Sequence, residues 1–151
     1  MAENGRFTGE ITPDKVVKYA RQASAFITNH GIASPDELEF HYPPLPHNGS
    51  DARYILEQEV GGEVVLVGVM PPNGTSTWHS HEEPIEEIYY PPLEGQLFVN
   101  GNPVLDEGIT IFSNTKHRAT TDTNKGALTV IVMENGALKR PEERHRYVDK
   151  K

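Results

Sequence analysis

The residue pattern from Arg53 to Met133 limits the possible folds of this chain more than any other feature. Apolar residues there alternate with polar ones or form short runs, and Gly, Pro, Asn and Asp interrupt them every few residues. Alternation with a period of two is typical of β-strands, and the interrupting residues favour turns. The predicted strands are 53–60, 63–70, 76–81, 87–90, 96–99, 109–112, 117–121 and 127–133, with one more around Val104. Many short, closely spaced strands are typical of an all-β barrel or sandwich.

The segments on either side of these strands have different patterns. Thr12-Pro13-Asp14 predicts a helix start, because threonine caps a helix, proline suits its first turn and aspartate favours its dipole. Apolar residues then recur every three or four positions until Gly31, where we expect the helix to end. Residues 136–151 are highly charged and predict a solvated tail or an edge strand, with Tyr147 as the anchor.

Length, composition and charge limit the class of protein. A chain of 151 residues suits one domain, and the absence of cysteine excludes disulfides and thiolate metal sites. The net charge of −8 and the lack of a basic run argue against nucleic acid or an anionic membrane as partner, which favours a small-molecule substrate. Neither a secretory signal nor a run of roughly 20 apolar residues occurs, so we predict a soluble, cytoplasmic protein.

Two histidines one residue apart, His79 and His81, indicate a metal site. On a strand such residues face the same side, with side-chain roots roughly 7 Å apart, which lets both reach one ion. Two glutamates, Glu86 and Glu87, follow at a strand-like distance, and His117 follows later. Imidazole and carboxylate suit a divalent transition metal, namely Fe, Mn, Ni, Co, Cu or Zn.

These residues lie in two segments that resemble the motifs of the cupin superfamily. The first segment runs from Gly74 through the two histidines and the glutamates to Gly95, and the second runs from Gly108 to His117-Arg118. The resemblance covers roughly residues 52–135 and implies a double-stranded β-helix, the cupin jelly-roll barrel, here with an N-terminal α-helix. On this basis, residues 1–51 are a helix and loop extension, 52–135 the barrel and 136–151 a charged tail, all within one domain.

The resemblance also implies the ligands of one divalent metal, which are His79, His81, one of the two glutamates, and His117. Four residues separate His81 from Glu86, as the motif requires, but the strand text Glu-Ile-Tyr-Tyr matches the motif with Glu87 as ligand. Loops absorb insertions more readily than strands change register, so we favour Glu87 and keep Glu86 as the alternative.

Strand alternation predicts further residues around the site. Thr77 would share the inward face with the histidine pair, and Tyr89 would share it with Glu87. Gln96 and Phe98 would face the pocket from the next strand, and Tyr54 from the first. Glu87 and Tyr89 are the candidates for proton transfer. The four remaining histidines are predicted to be solvated and without a role: His30, His41, His47 and His145.

Such a site favours a metal-dependent enzyme acting on a small molecule. We slightly prefer a dioxygenase of an enol, catechol or thiol compound, with an isomerase or lyase acting on a sugar or hydroxy acid as an alternative. A binding or sensor module without catalysis is a further alternative, because the resemblance implies a cavity more directly than a reaction. The N-terminal extension and an open sheet edge favour a homodimer.

Overall fold

The computed structural model describes residues 7–47 and 49–147. Its one α-helix of more than a single turn in this part of the chain, α1, spans Pro13–Asn29. Thr12 caps this helix as predicted, because its hydroxyl accepts a hydrogen bond from the Lys15 N–H at 3.2 Å. Short 3-10 turns lie at Pro35–Glu37, Gly136–Leu138 and Pro141–Glu143. Within the described residues, no helix is long and apolar enough to cross a membrane.

The described residues also contain twelve strands. They are β1 Leu45–Pro46, β2 Arg53–Val60, β3 Glu63–Met70, β4 His79–Ser80, β5 Glu86–Tyr89, β6 Glu94–Gly95, β7 Phe98–Val99, β8 Asn102–Pro103, β9 Ile109–Ile111, β10 Ala119–Thr120, β11 Ala127–Glu134 and β12 Arg146–Tyr147. The fold is therefore mainly β with an N-terminal helix, as the sequence predicts. The strand predicted around Val104 corresponds to β8, which ends one residue earlier, at Pro103.

Antiparallel pairing joins the strands into three sheets. The largest has the order β1-β2-β3-β11-β5-β9, and β6 also pairs with β11. A second sheet has the order β10-β7-β8, and β12 pairs with β4 to form a third. The turn between β7 and β8 is Asn100-Gly101, a residue pair typical of two-residue hairpin turns, and both residues have a positive φ.

The large sheet is buried on both faces, which explains why β3 and β11 have nearly continuous apolar sequences. On one face, Val64, Leu66 and Met133 join the core that also contains Tyr89 and Leu97. On the opposite face, alternate residues of β3 and β11 pack against one side of helix α1. The strand residues are Val65, Val67, Val69, Leu128, Val130 and Val132, and the helix residues are Val16, Tyr19, Ala23 and Ile27. The helix thus covers the outside of the sheet and leaves the inner face for a site.

The charged C-terminal segment forms an edge strand, the second of the two predicted alternatives. Arg146 pairs with Ser80 and Tyr147 with His79, next to the histidine pair. Arg144 anchors this segment because its side chain is buried and its Nε donates to the carbonyls of Gly136 and Lys139.

Candidate metal centre

Four side chains converge on the inner face of the sheets. His79 lies in β4, His81 follows it, Glu87 lies in β5 and His117 precedes β10. His79 and His117 exchange two backbone hydrogen bonds of 3.0 and 2.8 Å, so strand pairing sets one beside the other. All four are buried, and their ligand atoms lie within 4.8 Å of one another. The two segments with motif character thus meet at one point.

The structure places Glu87, and not Glu86, in this cluster. Side chains alternate along β5, so Glu87 and Tyr89 are buried while Glu86 and Ile88 are only half-buried. The Glu87 Oε1 lies 2.8 Å from the Nε2 of His117 and 3.1 Å from the Nε2 of His81. The loop between His81 and β5 absorbs the irregular spacing, and the strand keeps its register.

Backbone carbonyls orient the three histidines of the cluster. The Nδ1 of His79 lies 2.7 Å from the Thr77 carbonyl, that of His81 lies 2.7 Å from the Arg144 carbonyl, and that of His117 lies 2.9 Å from the Thr115 carbonyl. A carbonyl only accepts, so each Nδ1 carries the proton and donates it. Each neutral ring then directs the lone pair of its Nε2 towards the centre, which is how proteins orient metal-binding histidines.

The donor set fits one divalent metal ion. Without a cation, Glu87 could accept hydrogen bonds from the Nε2 of His81 and His117 only if both buried rings carried a second proton. A metal ion would replace these protons and satisfy the converging lone pairs and the carboxylate together. The residues that would hold it are His79, His81, Glu87 and His117.

Electrostatics agree with this ligand set. Without a metal ion, burial raises the pKa of Glu87, but the positive charges and hydrogen bonds that His81 and His117 provide when they carry a second ring proton lower it by more, so the carboxyl group stays ionised. Burial lowers the pKa of His79 to about 4, which keeps this imidazole neutral and able to bind metal near neutral pH. One negative ligand and neutral imidazoles would leave a bound divalent ion with a net charge of about +1.

A small pocket opens beside the cluster. Its cavity volume is about 30 Å³. This is room for roughly two water molecules. Most of its wall is apolar, and Glu87 is the only carboxylate among the described residues that line it. The lining residues are His47, Ala52, Tyr54, Gly68, Met70, Ser76, His79, Glu87, Tyr89, Leu97, Ala119, Ala127, Thr129 and Ile131.

Comparison with solved structures identifies the fold. A cupin-2 domain from Rhodospirillum rubrum matches with a TM-score of 0.55 and 11% identity, over 75% of this chain and 76% of the other. The polyketide cyclase RemF from Streptomyces resistomycificus matches with a TM-score of 0.55 and 19% identity, over 79% and 85%. A DMSP lyase structure matches with a TM-score of 0.53 and 16% identity, over 89% and 77%. This chain has the cupin fold. No family model and no curated protein matches its sequence.

Within the cupin barrel, two of the predicted pocket residues occupy their predicted places. Tyr54 and Tyr89 both line the pocket, and Tyr89 lies on the same buried face of β5 as Glu87. Gly68 makes room for Tyr54, since a Cβ there would lie 3.2 Å from the tyrosine ring. The catalytic role of Tyr89 and Glu87 stays a prediction.

The other three pocket predictions are wrong in register. Gln96 is exposed and Phe98 is half-buried, whereas Leu97 lies in the pocket wall. The predicted strand 96–99 begins only at Phe98, so alternation assigned the wrong face. Thr77 fails for a similar reason: residues 76–78 lie outside β4, and Ser76 lines the pocket instead. Thr77 contributes its carbonyl to His79.

Two histidines that we predicted to be solvated lie at the site. His47 lines the pocket, and the ring of His145 lies 4.8 Å from that of His47 and 4.8 Å from that of His81. Burial lowers the pKa of both rings, that of His145 to about 2. His145 precedes a strand of only two residues, so alternation does not assign its side chain to a face. No local pattern marks His47. His30 is exposed at the end of the helix, as predicted.

Proposed function

We propose that this protein is a metal-dependent lyase or isomerase that moves a proton on a small anionic substrate. The observation that carries the proposal is the position of the Tyr89 phenol, which lies on the same buried face of β5 as the metal-ligand candidate Glu87 and lines the same pocket. A proton donor beside a converging ligand set is the arrangement that general acid–base catalysis requires.

The substrate class follows from charge and size. A divalent ion held by three neutral imidazoles and one carboxylate carries a net charge of about +1, which favours an anion. The pocket is narrow and largely apolar beyond the cluster, so a compact hydroxy or keto acid fits better than an oligomeric substrate. The metal would act as a Lewis acid that polarises an oxygen of the substrate.

The residues of the protein would supply the proton transfer. Burial raises the pKa of Tyr89 well above its ordinary value, with the charge of Glu87 raising it further. The phenol therefore stays protonated and would donate a hydrogen bond to the substrate oxygen on which negative charge develops, while the ionised Glu87 carboxylate, the other candidate for proton transfer, would accept the proton removed from carbon. Tyr54, whose pKa burial and Glu87 also raise, provides a second protonated phenol in the same pocket. The apolar wall limits water, which strengthens both hydrogen bonds.

A dioxygenase is the second candidate. The apolar lining formed by Ala52, Met70, Leu97 and Ile131 would admit dioxygen beside the cluster. The cyclase and lyase with the same fold are 19% and 16% identical to this chain, so neither fixes its reaction. The two candidates differ in one measurable property, since only the oxygenase consumes oxygen.

Anaerobic proton exchange tests the proposal. Metal-loaded protein is incubated in D₂O with a panel of small hydroxy and keto acids, and NMR follows loss of the proton next to the carboxyl group. We expect exchange without oxygen uptake. Tyr89→Phe should reduce the rate about 10²- to 10⁴-fold, the usual contribution of a general acid or base, while metal content stays unchanged.

Tyr90→Phe is the matched control, because Tyr90 follows on the other face of the chain and packs against the helix at Phe26. It should keep the wild-type exchange rate. Turnover that requires and consumes oxygen would replace this proposal with the dioxygenase, and binding without exchange or turnover would indicate a non-catalytic module.

A further inference from the structure

The C-terminal strand brings a fifth histidine to the metal centre. Tyr147 lies directly opposite His79 in the β12–β4 pair, and cross-strand neighbours share a face. His145 immediately precedes β12, and its ring stacks on that of Tyr147, which puts it on the same side. Its ring centroid lies 5.0 Å from that of His79 and 4.8 Å from that of His81.

His145, His47 and Tyr147 form what we call the entrance group. The rings of His145 and Tyr147 are stacked, with centroids 5.7 Å apart and planes 9° apart. The Tyr147 hydroxyl and the His47 Nε2 are hydrogen-bonded at 2.9 Å. These three side chains are partly exposed while the four cluster side chains are buried, so the entrance group lies on the solvent side of the cluster.

The ring nitrogens of His145 differ in their hydrogen bonding from those of the cluster. In each cluster histidine, the Nδ1 donates a hydrogen bond to a backbone carbonyl. Among residues 7–47 and 49–147, no hydrogen bond joins a ring nitrogen of His145 to another residue; its contacts there are with the rings of His47, His79, His81 and Tyr147. Within the described residues, the site therefore holds an imidazole whose donor and acceptor are unused.

The segment that carries His145 is firmly held. Arg144 is buried, donates to two carbonyls and forms an ion pair with Glu59, and its own carbonyl accepts from His81. Arg146 forms an ion pair with Glu82 on the other side. The ring of His145 thus has a fixed position relative to the cluster, as a binding residue requires.

We propose that His145 is a substrate-binding residue that recognises a second polar group of the substrate. The first oxygen of the anion would occupy the metal centre, and the N–H of His145 would donate to a hydroxyl or carboxylate oxygen further along the molecule. This inference rests on the proposed function and narrows its substrate class to bifunctional acids, such as hydroxy acids or dicarboxylates. A simple monocarboxylate would leave His145 without a partner.

Two probe anions test the inference by calorimetry. Formate offers only the group that reaches the metal, whereas malonate adds a second carboxylate. We expect His145→Ala to weaken malonate binding about tenfold, the effect of losing one hydrogen bond to a charged group, and to leave formate binding unchanged. Metal content, determined by elemental analysis, should also be unchanged.

Further variants keep the test decisive. His145→Gln retains an amide N–H and should bind malonate more tightly than His145→Ala. His30→Ala, at the exposed end of the helix, is the control and should behave as wild type. Equal malonate affinity in wild type and His145→Ala would overturn the inference, as would loss of metal from either His145 variant.

Failure of the inference can be distinguished from failure of the proposed function. If wild-type protein binds no metal but its malonate affinity still depends on His145, the proposed function fails and the binding role of His145 stands. If wild-type protein binds metal and formate but does not prefer malonate, the binding role of His145 fails and the metal centre stands.

Discussion

Replacing Glu87 by glutamine should strongly weaken metal binding, and replacing its neighbour Glu86 should not. The substitution keeps the size of the side chain and removes its charge. The Glu87 carboxylate is 2% exposed, and its Oε1 lies within 3.1 Å of the Nε2 of both His81 and His117. A metal ion bound there would be paired with a buried charge that solvent does not screen.

The magnitude follows from the cost of breaking a buried ion pair. Removing one partner costs about 3–5 kcal/mol, which corresponds to a dissociation constant about 100-fold to 4,000-fold higher. Glu86 is only half-buried and its side chain lies on the other face of β5. Its substitution should change the free energy of binding by less than about 0.5 kcal/mol, or roughly twofold.

Competition with a chelating dye measures the affinity of metal-free protein for Co²⁺ or Zn²⁺. Thermal unfolding of the same preparations checks that both variants fold. Equal affinities in Glu87→Gln and wild type would refute the assignment of the ligand set. Loss of affinity in Glu86→Gln alone would show that the strand register in solution differs from the one described here.

Three further predictions concern stability and assembly. Thr121→Val should lower the free energy of unfolding by about 1–3 kcal/mol, because the buried Thr121 hydroxyl accepts a hydrogen bond from the Gly74 N–H and donates one to the Pro71 carbonyl. Thr129→Val should be neutral or stabilising, since the Thr129 hydroxyl has no partner among the described residues. Denaturant titration of both variants measures the difference. Burial raises the pKa of Tyr19 to about 12, so above pH 10 the folded state holds more protons than the unfolded state and stability should fall until about pH 12, by up to about 1.4 kcal/mol per pH unit. In unfolding experiments at alkaline pH, Tyr19→Phe should reduce the fall in stability with pH. An unchanged pH dependence would contradict the raised pKa of Tyr19. Sedimentation at micromolar concentration should reveal a homodimer, and a monomer would count against it.

Local patterns predicted the helix and the long strands well. Thr12-Pro13 predicts the helix start, and the alternation of apolar and polar residues predicts β2, β3 and β11. Both features depend on neighbouring residues and on the burial of whole faces. The same method failed for Gln96 and Phe98. Strands of two residues are too short for alternation to define a face, so their orientation depends on pairing with distant segments.

The candidate site likewise combines residues that the sequence predicts with residues that it misses. The resemblance to cupin motifs identified His79, His81 and His117, and the preference for strand register over loop length selected Glu87, which the structure places in the cluster. The sequence predicts that His47 and His145 are solvated, because they lie in a loop and in a charged tail. Their positions result from contacts with Tyr54 and Tyr147 that no local pattern encodes.

Local patterns in the sequence are enough to predict the mainly β fold, the N-terminal helix and the residues of the two motifs. These depend on periodicity, turn chemistry and ligand type, which are properties of neighbouring residues. Only the tertiary structure decided which side chains surround the cluster. Pairing of β12 with β4, 66 positions apart in the case of Arg146 and Ser80, brings His145 to the site. Such pairing is chosen by the packing of the whole chain, because it must satisfy the backbone and bury Arg144 at the same time.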